Sequence, residues 1–230
     1  MCTVEPPEIM QGDGERMTYS EWLQTKEGQE ATGGKYARNS LDNGGGSGII
    51  KENSKRPITA ITDKAIENVP AIKIVGYTDE QNAFIQQQHK ELLTYSRNKN
   101  GNKEVAFVFD RTLENRMEFI GSDDKLDFGS SLFGVDLTIL HNHPRNSSFS
   151  FRDIVEFTAN DRIKTLTIIK NNGGVETLTK LNTYDKLEIL TALSRLEKNN
   201  IKSGSDEEYR KIINKFLSKY TEGGLFEWTK

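Results

Sequence analysis

The chain has little cysteine, no long apolar run and no excess of positive charge. Its only cysteine among 230 residues is Cys2, so an internal disulfide and a cysteine-based zinc site are both excluded. A reducing, cytoplasmic setting is therefore expected. No run approaches the roughly 20 apolar residues of a membrane span, and the first seven residues do not read as a signal peptide. Because the net charge is −3, we expect neither a nucleic-acid partner nor a membrane partner.

Glycine is concentrated towards the N-terminal end. Nine of the 19 glycines fall within the first 48 residues, and residues 44–48 read Gly-Gly-Gly-Ser-Gly. Such stretches behave as flexible coil and bury too little apolar surface to order themselves. We predict a flexible, Gly-rich arm over residues 1–65, in which only residues 17–23 have the pattern of a short helix.

Apolar spacing becomes regular from about residue 70. It predicts strands at 72–75, 104–109, 116–120, 135–141, 164–170 and 175–181, and helices at 79–96, 150–160, 184–199 and 206–220. Asp79 is predicted to cap the first helix. This order indicates an α+β domain with a mixed sheet over residues 66–182, followed by a helical extension over residues 183–230.

One short motif is typical of a metal site. Residues 141–144 read His-Asn-His-Pro and follow an apolar strand. Residues two apart on a strand share a face, so His141 and His143 present both imidazoles together. Pro144 lacks an N–H and ends the strand, and Asp153 can supply an oxygen ligand. Two histidines and a carboxylate with an open fourth position form the ligand set of a hydrolytic zinc site.

Each part of this motif also has an ordinary structural interpretation. A His-x-His pair at a strand end is often a surface or core feature, and His89 is interpreted as a packing or surface residue. Ser150, three residues before Asp153 and an apolar run, is also the pattern of a helix N-cap. The two interpretations of this pair are compatible, because the cap would hold the start of the helix beside the strand end.

The motif resembles that of the JAB/MPN (JAMM) metallopeptidases, including their RadC-like and phage-encoded members. His-Asn-His-Pro is followed after five residues by Ser-Phe-Arg-Asp at 150–153. The order of elements over residues 70–182 is similar to the family core, which implies a cytidine-deaminase-like, three-layer domain with helices flanking the sheet. The chain departs from the family pattern twice. The family usually has six residues in that loop, and its deubiquitinating members often carry Cys-Gly where Val105-Ala106 stands.

The resemblance implies a role for each candidate residue. His141, His143 and Asp153 would bind Zn²⁺ and leave a water as fourth ligand. Glu104, at the start of an earlier strand, would be the general base. Ser150 would donate a hydrogen bond to the developing oxyanion. The implied protein is a hydrolase of the metalloprotease or isopeptidase class, with a protein or peptide substrate.

Glu104 depends on the resemblance most heavily. Its ordinary interpretation is a solvated residue at the start of a strand. The nearest rivals for the role of base are Glu114, which is expected in a turn, and Glu118, which is expected in the middle of a strand.

A second hypothesis gives the chain a structural role. Residues 17–23 weakly resemble a stretch near the C-terminus of phage head-morphogenesis proteins. This likeness implies a virion-associated protein with phage structural partners, in which the JAB-like domain is architectural. An HNH nuclease is disfavoured, because those enzymes spread the three residues over a ββα unit and use a basic groove that this acidic chain lacks.

Overall fold

The computed structural model of the chain describes residues 8–10, 16–18, 56–123, 125–126, 128, 132–200 and 206–230. The helices in these ranges are α1 (Asp63–Glu67), α2 (Asp79–Asn100), α3 (Phe151–Ala159), α4 (Lys186–Asn200) and α5 (Asp206–Glu222). The strands are β1 (Glu8–Met10), β2 (Arg16–Thr18), β3 (Val105–Phe109), β4 (Arg116–Ile120), β5 (Leu137–His143), β6 (Ile163–Lys170), β7 (Val175–Lys180) and β8 (Phe226–Thr229). None of the described helices combines the length and apolarity needed to cross a bilayer.

Six strands form one mixed sheet in the order β4-β3-β5-β6-β7-β8. The pair β5 and β6 is parallel, whereas the other neighbours are antiparallel. A parallel pair needs a crossover, and α3 provides it between β5 and β6. The predicted α+β class with a mixed sheet flanked by helices is therefore confirmed.

Strand β5 lies in the middle of this sheet, and all seven of its residues are buried. Its alternate side chains enter two separate cores. Ile139 packs with residues of α3, α4 and α5 on one face, whereas Leu140 packs with residues of α2 on the other. Because side chains alternate along a strand, His141 and His143 lie on the α3 face and Asn142 lies on the α2 face.

The predicted strand at 72–75 is wrong. The N–H of Ile74 donates to the side-chain Oδ1 of Asn82 at 2.9 Å, and the carbonyl of Ile74 accepts from the N–H of Tyr77 at 3.1 Å. These bonds make a turn that leads into α2. The predicted cap is also displaced by one residue, because Thr78 caps α2 and forms a capping box with Gln81.

The predicted arm contains structured parts. Met17 and Thr18 belong to β2, which pairs with β1, so this part of the predicted short helix is wrong. The rest of that helix and the Gly-rich run lie outside the described residues. Residues 56–65 pack against the domain, where Ile61 is buried and the N–H of Thr59 donates to the carbonyl of Pro144 at 2.8 Å.

The C-terminal extension holds the two predicted helices and one strand that the sequence pattern missed. Strand β8 pairs with β7 and extends the sheet. It has four residues and follows a Gly-Gly pair, so it is too short for a periodic signal. Phe226 at its start is buried in the α3-side core. The extension is therefore part of the same sheet and core.

Candidate metal centre

The three predicted ligands meet at one point on the α3 face of the sheet. The Nε2 atoms of His141 and His143 lie 2.9 Å apart. Asp153 places Oδ1 at 3.7 Å from the Nε2 of His141 and Oδ2 at 3.5 Å from the Nε2 of His143. One ligand atom from each of the three residues can be chosen so that all lie within 4.8 Å of one another. This buried group can in principle hold a metal ion.

The helix cap brings Asp153 to the histidines. The Oγ of Ser150 accepts the N–H of Asp153 at 3.1 Å, and the N–H of Ser150 donates to the Oδ2 of Asp153 at 2.6 Å. This capping box fixes the start of α3 beside the end of β5. Asp153 is thus both a member of the capping box of Ser150 and the candidate ligand, as the sequence pattern allowed.

The donor set of this group fits a small tetrahedral cation. Tetrahedral zinc with ligand distances of about 2.1 Å separates its ligand atoms by about 3.4 Å. The two Nε2 atoms lie closer than this, at 2.9 Å, and each lies within 3.7 Å of a different oxygen of Asp153. Two imidazole nitrogens and a carboxylate oxygen within 4.8 Å of one another are a donor set that fits a zinc ion.

Ser147 determines which nitrogen of His143 is available to bind a metal ion. The Nδ1 of His143 lies 3.2 Å from the carbonyl oxygen of Ser147 and 2.8 Å from its Oγ. A carbonyl only accepts, so we assign the proton to Nδ1, which leaves a lone pair on Nε2. The Nδ1 of His141 has no hydrogen-bond partner among the described residues. The Nε2 lone pair of His143 faces the Nε2 of His141, an arrangement that a bound cation stabilises.

Burial and charge give His143 and Asp153 the protonation states that metal binding needs. Burial lowers the pKa of His143 to about 4, although the carboxylate of Asp153 partly opposes this shift. Burial alone would raise the pKa of Asp153, but the two histidines and the N–H of Ser150 outweigh it and hold this pKa well below its usual range. At neutral pH His143 is a neutral imidazole and Asp153 is a carboxylate, the forms that bind metal.

Glu104 lies on the same face as the ligands. Strands β3 and β5 pair Ala106 with His141, the last pair of their register, and Glu104 directly precedes β3, two residues before Ala106. Ala106 belongs to the α3-side core, so the alternation of side chains places Glu104 on that face as well. The residue is 8% exposed, which contradicts its interpretation as an ordinary solvated residue.

The rival glutamates lie elsewhere. Glu118 pairs in register with Phe107, a residue of the α2-side core, so its side chain lies on the opposite face of the sheet. It is exposed and bonded to Arg116 at 2.7 Å. Glu114 is exposed in the turn before β4. Neither rival combines the two features of Glu104, which lies on the face of the sheet that carries the histidines and directly precedes β3.

His89 is a packing residue, as predicted. It is fully buried on α2, and its Nε2 lies 2.7 Å from the Oγ1 of Thr167 on the other side of the sheet from the metal centre. Burial, with a contribution from His141, lowers the pKa of His89 to about 3.

Sequence reasoning missed a buried carboxylate beside the centre. Glu176 accepts from the Oγ of Ser148 at 2.7 Å and from the Nζ of Lys170 at 2.7 Å. Its second oxygen accepts from the Nε1 of Trp228 at 3.3 Å. These bonds hold the five-residue loop that separates the two parts of the motif. The available signal was an acidic residue within a strand that is otherwise apolar and threonine-rich.

A scan against protein-family models, a search of curated proteins and a search of solved structures each found no match. The fold and the site define an α+β protein with a buried group of two histidines and one aspartate that is able to hold a metal ion.

Proposed function

We propose that this chain is a zinc-dependent peptidase or isopeptidase of the JAB/MPN type. The observation that carries the proposal is the convergence of His141, His143 and Asp153, whose ligand atoms lie within 4.8 Å of one another, with an acidic residue on the same face of the sheet. The substrate class is a protein or peptide, and the bond cleaved is a peptide or isopeptide bond.

When bound, zinc supplies a Lewis acid that lowers the pKa of a bound water towards about 7. Glu104 takes a proton from the attacking water and returns it to the leaving amine. Its burial supports this role, because a base shielded from bulk water keeps its proton for the leaving group. The neutral ring of His143 and the ionised Asp153 need no deprotonation before they bind the metal.

The hydroxyl oxygen of Ser150 accepts one hydrogen bond, and its proton is available to donate another. Its oxygen accepts the N–H of Asp153 at 3.1 Å, which occupies one lone pair. The hydroxyl proton therefore remains available to donate to the oxyanion that forms as the carbonyl is attacked. The backbone N–H of Ser150 is bound to Asp153 and takes no part in this step.

The decisive variant is Glu104→Gln, which keeps the size of the side chain and removes the base. Zinc-loaded protein is incubated with a library of internally quenched peptides and with lysine isopeptide conjugates. We expect kcat/KM to fall by at least about 100-fold while bound zinc is unchanged, because Glu104 moves a proton and ligates nothing. The matched control is Glu118→Gln, on the opposite and exposed face, which is expected to keep wild-type activity.

Two outcomes would overturn the proposal. Full activity of the Glu104→Gln variant would remove Glu104 from the mechanism. Zinc-loaded wild-type protein that cleaves neither substrate class would favour the architectural role in a virion-associated protein.

A further inference from the structure

We propose that Asn142 is a positioning residue that holds Glu104 at the distance from the metal centre that catalysis needs. The inference rests on the proposed function and extends it to a residue on the opposite face of the sheet. Asn142 lies between the two histidine ligands on β5, and its side chain is completely buried on the α2 side. It therefore binds no metal itself.

The side chain of Asn142 bonds to both neighbours of Glu104. Its Oδ1 accepts the N–H of Val105 at 2.8 Å. Its Nδ2 donates to the carbonyl of Lys103 at 3.2 Å. The backbone on either side of the proposed base is thus bonded to the residue that separates the two ligands.

These bonds continue the sheet where the backbone pairing of β3 and β5 stops. The backbone register runs from Phe109 and Thr138 to Ala106 and His141. Beyond that pair, the side-chain amide of Asn142 takes the place of a backbone partner. On the β5 side, the backbone around Glu104 is therefore held by the side chain of Asn142.

The Nδ2 group of Asn142 has two further partners. The Nδ2 of Asn142 lies 2.8 Å from the Oδ1 of Asn171 and 3.3 Å from the Oγ of Ser96. Asn171 is completely buried, and its backbone N–H donates to the carbonyl of His143 at 3.3 Å. The amide is thus fixed by α2, by β3 and by the end of β6 together, so it cannot rotate without breaking several buried bonds.

The chemistry of this position favours an amide. The side chain must accept from one N–H and donate to one carbonyl a short distance away, and only asparagine or glutamine carries both groups on one rigid plane. Aspartate would offer only acceptors and would face the carbonyl of Lys103 with a like partial charge. Threonine fits the strand but has a single hydroxyl.

The test is the variant Asn142→Thr. We expect bound zinc to stay near one equivalent, because β5 remains paired with β6 from Thr138 to His143. We expect kcat to fall by about 100-fold, since a displacement of about 1 Å at a reacting group has effects of that size. KM is expected to change by less than about 3-fold, because Asn142 does not contact substrate. Amide hydrogen exchange at Val105, measured by NMR, is expected to accelerate.

Two comparisons separate positioning from a general loss of stability. Thr167→Val breaks a different buried bond on the same face, that to His89, and is expected to leave kcat and exchange at Val105 unchanged. The double variant Glu104→Gln with Asn142→Thr is expected to be no slower than Glu104→Gln alone, because Asn142 acts through Glu104.

A second variant covers the case in which Asn142→Thr does not fold. Asn100 ends α2, and its Nδ2 donates to the carbonyl of Glu104 at 2.8 Å and to that of Gly121 at 3.1 Å. Asn100→Ala removes this outer support and is expected to lower kcat by about 10-fold with zinc retained.

Several results would overturn the inference. These are unchanged exchange at Val105, unchanged kcat in Asn142→Thr or in its substitute Asn100→Ala, and a further loss of rate in the double variant. An inactive Glu104→Gln with a fully active Asn142→Thr defeats this inference alone. A fully active Glu104→Gln defeats the proposed function as well.

Discussion

At the scale of single residues, the chain uses its three histidines in two ways. The Nε2 atoms of His141 and His143 face each other and the carboxylate of Asp153. His89 is equally buried, but it faces a threonine hydroxyl on the other side of the sheet. Residue type alone therefore does not distinguish a ligand from a packing residue, whereas the face of the sheet on which the histidine lies does.

The buried His89 predicts a pH dependence of stability. Its pKa is about 3 in the folded protein, against an ordinary value of 6.5. As the pH falls below 6.5, the unfolded chain binds a proton that the folded protein excludes. This contribution to stability is complete above pH 6.5 and is lost progressively down to about pH 3.

The variant His89→Gln removes this titration and keeps a polar group near Thr167. Between pH 6.5 and 4.5 the wild-type protein is expected to lose about 2 kcal/mol more unfolding free energy than the variant. Urea unfolding at several pH values measures the difference. Parallel profiles for the two proteins would show that folding does not lower the pKa of His89.

At the scale of elements, helix caps position the candidate site. Helices α2 and α3 both begin with a capping box, formed by Thr78 with Gln81 and by Ser150 with Asp153. Only the second box contains a candidate ligand. The orientation of α3 at its first turn is therefore coupled to the metal, whereas that of α2 is not.

Removal of each cap hydroxyl tests this coupling. Thr78→Ala and Ser150→Ala are each expected to lower the unfolding free energy of the metal-free protein by about 1 kcal/mol. Only Ser150→Ala is expected to weaken zinc binding, by about 10-fold, since residues that orient ligands have effects of that size. Urea unfolding and zinc titration against a competing chelator measure the two quantities. An equal effect of both variants on zinc affinity would contradict the coupling.

Elements with regular apolar spacing could be predicted, and elements defined by tertiary contacts could not. The apolar face of α3 and the apolar run of β5 are local properties of the sequence. The segment at Ile72–Val75 has the composition of a strand, yet the amide of Asn82 binds its backbone and makes a turn. Strand β8 is defined by its pairing with β7, which a single sequence does not reveal.

At the scale of the whole molecule, segments on both sides of the predicted core domain are tied to the metal centre. Thr59 bonds to Pro144, the residue after the second histidine. Trp228 near the C-terminal end bonds to Glu176, which holds the loop between the two parts of the motif. The metal centre is thus supported by segments that lie outside the predicted core domain.

Phe226 tests the contribution of the C-terminal strand. Its side chain is buried in the α3-side core, so Phe226→Ala is expected to lower the unfolding free energy by about 3 to 5 kcal/mol. Phe133 is 56% exposed, and Phe133→Ala is the matched control, expected to change the unfolding free energy by less than about 0.5 kcal/mol. Urea unfolding measures both. A small effect of Phe226→Ala would show that β8 is dispensable.

The candidate site could be predicted only in its local part. His141, His143 and Asp153 lie within one short stretch, so strand alternation and a helix cap suffice to bring them together. The face on which Glu104 lies depends on the pairing of β3 with β5, and only the family resemblance pointed to that pairing. The network around Asn142 joins residues from four parts of the chain and left no local signal.

The amount of zinc bound by the purified protein tests the central claim most directly. Elemental analysis after supplementation with zinc is expected to give about one equivalent for the wild-type protein and for His89→Gln. His141→Ala is expected to retain less than about 0.1 equivalents, because two of three ligands do not hold the ion. Less than about 0.1 equivalents in the wild-type protein, or retention of a full equivalent by His141→Ala, would contradict the assignment of the metal centre.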